Sequence, residues 1–134
     1  MKKYEEILKK HGIRPTFQRL TILKLIYERK EHPSADEIYE LLKNTTPAIS
    51  RATVFNTVNL LSEKGVIEEI ITPGAIRYDY FYNEHHHFYC EKCGKVFDIE
   101  ENLPDIPKIE YIEGHKITKI QYLLTGICKD CLKK

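Results

Sequence analysis

The sequence lacks a long hydrophobic run, an excess of charge of either sign, and the motif of a helical zinc hydrolase. No apolar stretch approaches the roughly 18 residues that suggest a membrane-spanning helix, so we expect no membrane partner. The 21 Lys and Arg residues nearly balance the 20 Asp and Glu residues, so charge alone does not indicate a nucleic-acid-binding protein. Without an H-E-x-x-H sequence, no glutamate is placed as a general base between two histidine ligands, which disfavours an enzyme.

The sequence also shows no secretory signal peptide, so we expect a reducing, cytoplasmic location. In such a compartment, paired cysteines favour a metal ion over a disulfide. With 134 residues, of which 42% are hydrophobic, the chain can form one domain or two small ones. A second small domain would need an additional stabilising cross-link, such as a bound metal ion.

The four cysteines form two C-x2-C pairs, Cys90 with Cys93 and Cys128 with Cys131. This spacing predicts a structural zinc ion held tetrahedrally by four thiolates. Two disulfides, a redox-active C-x2-C pair, or four unrelated buried thiols are the alternatives. A zinc ion here would tie the C-terminal segment to the middle of the chain.

Three consecutive histidines precede the first cysteine pair. In an extended strand, His85 and His87 share one face and His86 points to the other, because strand side chains alternate. Asp79 and Asp98 could add oxygen ligands, since a carboxylate among apolar residues is costly to bury without a cationic partner. A second metal site is one interpretation, and exposed side chains at a strand edge are the other.

The first half of the chain is patterned as helices followed by a hairpin. Helices are predicted to end at Gly12, to run from Thr16 to Arg29, to begin at the capping box Ser34–Glu37, and to run from Arg51 to Lys64 after Ser50. Strands Val66–Ile71 and Ala75–Phe81 follow, joined by a turn. This order predicts a winged helix-turn-helix in which the fourth helix is the DNA-recognition helix.

Several polar side chains in this half could contact DNA. Arg51, Thr53 and Asn56 share a face of the fourth helix, and such a face could enter a major groove. Arg14 and Arg19 are candidates for phosphate or minor-groove contacts. A polar helix face that is merely solvated is the alternative.

The second half reads as a small α/β domain. We expect strands over Lys95–Ile99 and Lys116–Ile127 and a short helix near Pro107. So few elements cannot bury a sheet alone, so zinc and a twofold partner are expected to complete it. The predicted fold class is α+β, with a winged helix-turn-helix at 1–78, a hinge at 79–84 and an α/β dimerisation domain at 85–134.

Three blocks of sequence, His32–Tyr39, Ser50–Asn56 and Arg77–Lys95, resemble the ferric uptake regulator family, and within it the peroxide-responsive repressors. The likeness covers nearly the whole chain. It implies that a regulatory metal ion is held by five residues: His32, Asp79, His85, His87 and Asp98.

The resemblance implies a metal-dependent transcriptional repressor that binds a palindromic, A/T-rich operator in double-stranded DNA as a homodimer. Its cofactors would be structural Zn(II) and regulatory Fe(II) or Mn(II). Asp98 is typical of the peroxide sensors, since iron- and zinc-sensing members usually have glutamate there. Fe(II)-catalysed oxidation of His32 or His85 would then release the DNA. An iron-, zinc- or manganese-responsive repressor without peroxide chemistry, or a zinc-stapled module that does not bind DNA, are the alternatives.

The sequence departs from the family pattern at two places. Phe55 occupies the position of a DNA-contacting tyrosine, so a hydroxyl contact is lost while a thymine-methyl contact remains available. A further metal site of many iron sensors uses a histidine where this chain has Lys119 and Ile120. Residues Glu84, His86 and His115 could make a partial substitute for that site.

Overall fold

The structure, a computed structural model, describes residues 1–82, 85–100, 109–118 and 120–134. The chain divides into two compact units, Met1–Asn83 (unit 1) and Glu84–Lys134 (unit 2). Within the described residues, each helix is too short or too polar to cross a bilayer.

Unit 1 consists of four helices followed by an antiparallel hairpin. Its elements are α1 (Lys2–Lys10), α2 (Phe17–Glu28), α3 (Ala35–Leu42), α4 (Arg51–Glu63), β1 (Ile67–Thr72) and β2 (Ala75–Tyr80). This is the predicted order of a winged helix-turn-helix, with the hairpin as the wing.

Local capping explains why these helices begin and end where the sequence predicts. The side chains of Thr16 and Ser50 each accept the backbone N–H three residues later, which satisfies a donor that the first helical turn leaves without a partner. At α3, Ser34 and Glu37 form the predicted reciprocal capping box, with distances of 3.2 and 3.1 Å. Gly12, with φ +74°, takes the left-handed conformation that follows the end of α1.

The core of unit 1 lies where the helices pack on one another and on the hairpin. Its buried side chains include Leu8, Leu20, Ile22, Leu23, Ile26, Ile38, Val54, Val58, Leu61, Val66 and Ile67. In α4, the buried residues recur every three or four positions, so the opposite face of that helix remains exposed.

Unit 2 contains short strands and one short helix. Its elements are β3 (His86–Cys90), β4 (Val96–Ile99), β5 (Tyr111–Ile112), β6 (His115–Lys116), β7 (Leu123–Gly126) and α5 (Lys129–Leu132). In the three-stranded sheet, β3 is central, antiparallel to β4 and parallel to β7, whereas β5 and β6 form a separate hairpin.

Some elements differ from the sequence prediction. The single strand expected over Lys116–Ile127 is wrong: β6 pairs with β5 across a turn containing Gly114, whereas β7 pairs with β3. The described residues between them, 117, 118 and 120–122, belong to no strand. The helix expected near Pro107 lies outside the described residues. Asp79 and Tyr80, at the start of the predicted hinge, are the last residues of β2, in agreement with the predicted strand Ala75–Phe81.

The core of unit 2 is small. Within the described part of this unit, the buried apolar side chains are Val96 and the cysteines Cys90, Cys128 and Cys131. Phe88 and Phe97 are only partly buried against these cysteines. The described residues of this unit therefore bury little apolar surface, and a metal ion bound by the cysteines would add stability to it.

Candidate metal centres and nucleic-acid interface

The four cysteine thiols converge in unit 2. The Sγ atoms of Cys90 and Cys131 are 3.8 Å apart, as are those of Cys93 and Cys128, and all four lie within 4.8 Å of one another. A tetrahedron of sulfurs about 2.3 Å from a zinc ion has edges of about 3.8 Å. A disulfide requires a sulfur separation of about 2.0 Å. The donor set therefore fits a structural zinc ion, and the four cysteines are free thiols here rather than disulfides.

The parallel pairing of β3 and β7 explains why the two cysteine pairs meet. It places Cys90 opposite Gly126, two residues before Cys128. A Cβ at Gly126 would lie 3.3 Å from the Phe88 ring, a tight contact that would require the ring to shift. Gly94, with φ +78°, permits the tight turn after the first pair.

Hydrogen bonds at the cluster favour a thiolate at one cysteine and oppose it at another. Burial raises the pKa of Cys90, but the backbone N–H groups of Cys93 and Cys128, at 3.4 and 3.3 Å, outweigh burial and lower it to about 6. The hydrogen bond with the Cys128 thiol, followed by burial, raises the pKa of Cys131 to about 12. Four adjacent thiolates therefore need a cation to offset their repulsion, and zinc supplies that charge.

A second cluster in unit 2 combines two imidazoles and a carboxylate. His87 in β3 pairs directly with Asp98 in β4. The Nε2 atoms of His85 and His87 lie 3.4 and 3.3 Å from the same Asp98 oxygen, Oδ1, and the two rings are 4.6 Å apart. Both histidines are buried, whereas His86 lies against the Tyr122 ring. The predicted alternation thus brings His85, His87 and Asp98 together.

In unit 1, His32 lies beside Asp79, with Nε2 3.4 Å from Oδ2, and both residues are buried. The backbone before α3 runs along β2 and brings them together: Tyr78 N–H donates to the Pro33 carbonyl at 3.0 Å. The Arg77 guanidinium donates to the His32 carbonyl at 3.2 Å. His32 has φ +57°, a conformation uncommon for a residue other than glycine, so these contacts hold a constrained backbone in place.

Sequence reasoning missed Glu68 and Arg77. Glu68 is only 5% exposed, pairs directly with Asp79 across the hairpin, and has a carboxylate oxygen within 4.8 Å of one of Asp79. A signal for this pairing was available, because the tight turn at Pro73 and Gly74 pairs position 72 with 75 and therefore 68 with 79.

The five predicted regulatory ligands thus fall into two clusters, one in each unit. Each cluster pairs imidazole nitrogen with carboxylate oxygen, a donor set that suits Fe(II), Mn(II) or Zn(II) without strong selection. Of the possible third site, Glu84 lies outside the described residues, and His115 is exposed in β6.

The candidate DNA-contacting residues lie at the surface of unit 1. On α4, Phe55 is 42% exposed and Asn56 is also exposed. Thr53 is half-buried and takes part in the cap of α4. Arg14 is exposed, and its carbonyl accepts a hydrogen bond of 2.9 Å from the Arg19 guanidinium. The contact therefore holds the Arg19 guanidinium beside the backbone of Arg14.

Arg51 is held within unit 1 by ion pairs. Its guanidinium lies 2.6 Å from Asp36 and 3.2 Å from Glu40, both on α3, and 4.6 Å from the centre of the Tyr39 ring. These contacts link α3 to the start of α4. Two guanidinium N–H groups of Arg51 are therefore already engaged within unit 1.

Comparison with known proteins gives matches over most of the chain. The ferric uptake regulator family model matches residues 10–125. The peroxide operon regulator of Bacillus subtilis is 34% identical over 139 residues, covering 100% of this chain and 94% of that protein.

Two solved structures extend the comparison. The Campylobacter jejuni peroxide stress regulator is 36% identical with a TM-score of 0.67, covering 94% of this chain and 97% of that one. The ferric uptake regulator from Francisella tularensis with iron is 25% identical with a TM-score of 0.71, covering 90% and 96%. These matches confirm the resemblance seen in the sequence.

Proposed function

Because the chain belongs to the ferric uptake regulator family, we propose that it is a metal-dependent transcriptional repressor whose affinity for DNA is set by a regulatory ion. Fe(II) and Mn(II) are the candidate ions. The observation that carries this proposal is that buried imidazole groups face carboxylates in both units, an arrangement that a divalent cation stabilises. The named relatives are regulators, and we propose the same role here rather than an enzymatic one.

The regulatory ion would be shared by the two clusters. His32 and Asp79 would ligate it from unit 1, and His85, His87 and Asp98 from unit 2. An ion held by both units stabilises only the arrangements in which the clusters meet, so its binding favours those arrangements over all others. The gain in DNA affinity that the ion can cause is then limited by how much more tightly the ion binds the DNA-competent arrangement than the other arrangements.

The four-cysteine cluster would hold Zn(II) as a permanent structural ion. Four thiolates leave no open position for a substrate, which is typical of structural rather than catalytic zinc. Its role would be to keep unit 2 folded so that His85, His87 and Asp98 remain in register.

The DNA partner we propose is a palindromic, A/T-rich operator bound by a homodimer in the cytoplasm. A twofold dimer presents two copies of α4 to two half-sites. Asn56 can bond to an adenine edge, and Phe55 and Thr53 can contact thymine methyl groups. Arg14 and Arg19 would contact phosphates and fix the register.

We further propose that the protein senses hydrogen peroxide, on the basis of its similarity to the peroxide regulators and of the aspartate at position 98. Bound Fe(II) would supply the electron that activates peroxide. His32 and His85 are the imidazoles whose oxidation would weaken ligation and so release the operator. The second candidate is a metal-responsive repressor without this chemistry, supported by the similarity to an iron-containing regulator.

Operator binding at fixed salt tests both parts of the proposal, because phosphate contacts make affinity strongly salt-dependent. Zinc-loaded protein is mixed with an A/T-rich palindrome under Mn(II), anaerobic Fe(II) or a chelator selective for the regulatory ion. Binding is expected with either metal and not with the chelator, and peroxide should release DNA only from the iron form. Equal binding in all three conditions would contradict metal dependence.

Peptide mass spectrometry of the same samples tests the chemistry. Peptides containing His32 or His85 should gain one oxygen atom after peroxide treatment of the iron form, while exposed His115 serves as an internal control. If DNA is released while both peptides keep their mass, histidine oxidation is not the trigger. If peroxide leaves the iron form bound to DNA, the metal-responsive alternative stands.

A further inference from the structure

Glu68 is a buried carboxylate to which the proposed function gives no role. It lies in β1, 5% exposed, and pairs with Asp79 in β2. Residues directly opposite each other in an antiparallel pair point to the same face, and like charges in such pairs are destabilising. Two carboxylates are thus withdrawn from water side by side, an arrangement that a nearby cation would stabilise.

The surroundings of this pair are suited to a cation. One carboxylate oxygen of Glu68 lies within 4.8 Å of one of Asp79, and Asp79 itself lies 3.4 Å from His32 Nε2. Unit 1 therefore presents two carboxylates and one imidazole rather than one of each. The Coulomb attraction of both carboxylates to a divalent ion would outweigh the repulsion between them, most strongly away from bulk water.

We propose that Glu68 is a further ligand of the regulatory ion, beside His32 and Asp79, and that it shifts selectivity towards Mn(II) and away from Zn(II). Carboxylate oxygen suits Mn(II), whereas imidazole suits zinc and iron, so an added oxygen donor changes the balance in that direction. This inference rests on the proposed regulatory site.

The neighbouring residue offers a matched control. Glu69 follows Glu68 in β1, pairs with Tyr78 and is half-buried. Because strand side chains alternate, Glu69 points to the opposite face of the hairpin. Glu69→Gln therefore removes the same charge from the same strand without changing the face that carries Asp79.

The experiment measures Mn(II) and Zn(II) affinities by competition with a chelator, using full-length protein that retains only its structural zinc. Glu68→Gln is expected to weaken Mn(II) binding by about ten-fold or more, the scale seen when groups that support a metal site are removed. Zn(II) binding should weaken less, and Glu69→Gln should leave both affinities unchanged. In the absence of the regulatory ion, Glu68→Gln should raise the melting temperature, because its repulsion with Asp79 is lost.

The outcomes separate this inference from the proposed function. If His85→Ala abolishes tight Mn(II) binding but Glu68→Gln does not weaken it, the inference is wrong and the regulatory site stands. If Glu68→Gln lowers the melting temperature and weakens both metals equally, Glu68 has a structural role and the inference is again wrong. If His85→Ala also binds Mn(II) like the wild type, the regulatory site itself is wrong.

Discussion

Removal of zinc from the four-cysteine cluster is expected to unfold unit 2 and leave unit 1 folded. Unit 1 has its own core, formed by side chains from its helices and hairpin. In the described part of unit 2, by contrast, Val96 is the buried non-cysteine apolar residue, supported by the partly buried Phe88 and Phe97. The two units should therefore respond differently to the same treatment.

The expected magnitude follows from that small core. Full burial of a Val or Phe side chain contributes about 1.5–3 kcal/mol, so these three side chains together contribute about 9 kcal/mol at most. A structural zinc site contributes about 10–16 kcal/mol in zinc-finger peptides near pH 7. Since net domain stability is only about 5–15 kcal/mol, loss of the zinc contribution exceeds what unit 2 can tolerate.

Amide hydrogen exchange with mass spectrometry measures this difference along the full chain. Zinc is withdrawn by a strong chelator under reducing conditions, and its release is followed by the colour of an indicator. Peptides from 86–100 and 120–134 should lose protection, and zinc should restore it, while peptides from α2 and α4 remain protected and serve as the internal control. Unit 2 peptides that stay protected after complete zinc release would refute the reasoning.

Three further changes have expected outcomes. Arg51→Ala should lower the free energy of unfolding by about 1 kcal/mol in urea denaturation, because exposed ion pairs contribute about 0.2–1 kcal/mol each; an unchanged midpoint would contradict a linking role. Gly126→Val should speed zinc loss to a chelator, because its Cβ meets the Phe88 ring. Burial, followed by the hydrogen bond to Glu28, raises the pKa of Tyr4 to about 12 from 10.0, so its stabilising contribution is present below pH 10 and is lost as pH rises towards 12. Stability measured across that pH range should fall less steeply in Tyr4→Phe.

Features determined by nearby residues could be predicted from the sequence. The boundaries of α2, α3 and α4 follow from capping side chains within one turn, as at Ser34 and Glu37. The shared face of His85 and His87 follows from strand alternation, which a few consecutive residues establish. The fold class could be predicted because helical and strand periodicities are well separated along this chain.

Features that depend on distant residues could not be predicted from local pattern. The stretch from Lys116 to Ile127 is apolar enough for one strand, but its two ends pair with different partners. The closeness of His32 to Asp79 depends on pairing between the backbone before α3 and β2, so His32 could be assigned only by family resemblance. The ion pairs of Arg51 likewise require the packing of α3 on α4.

The central claim is that one ion is shared by ligands from both units. Its most direct test compares the Mn(II)-dependent gain in operator affinity for His32→Ala, His85→Ala and the double variant. If the ion is shared, loss of either ligand removes the gain and the double variant loses nothing more, because changes within one site are not additive. Losses that add in the double variant would show that the two histidines belong to independent sites, and the shared-ion account would be wrong.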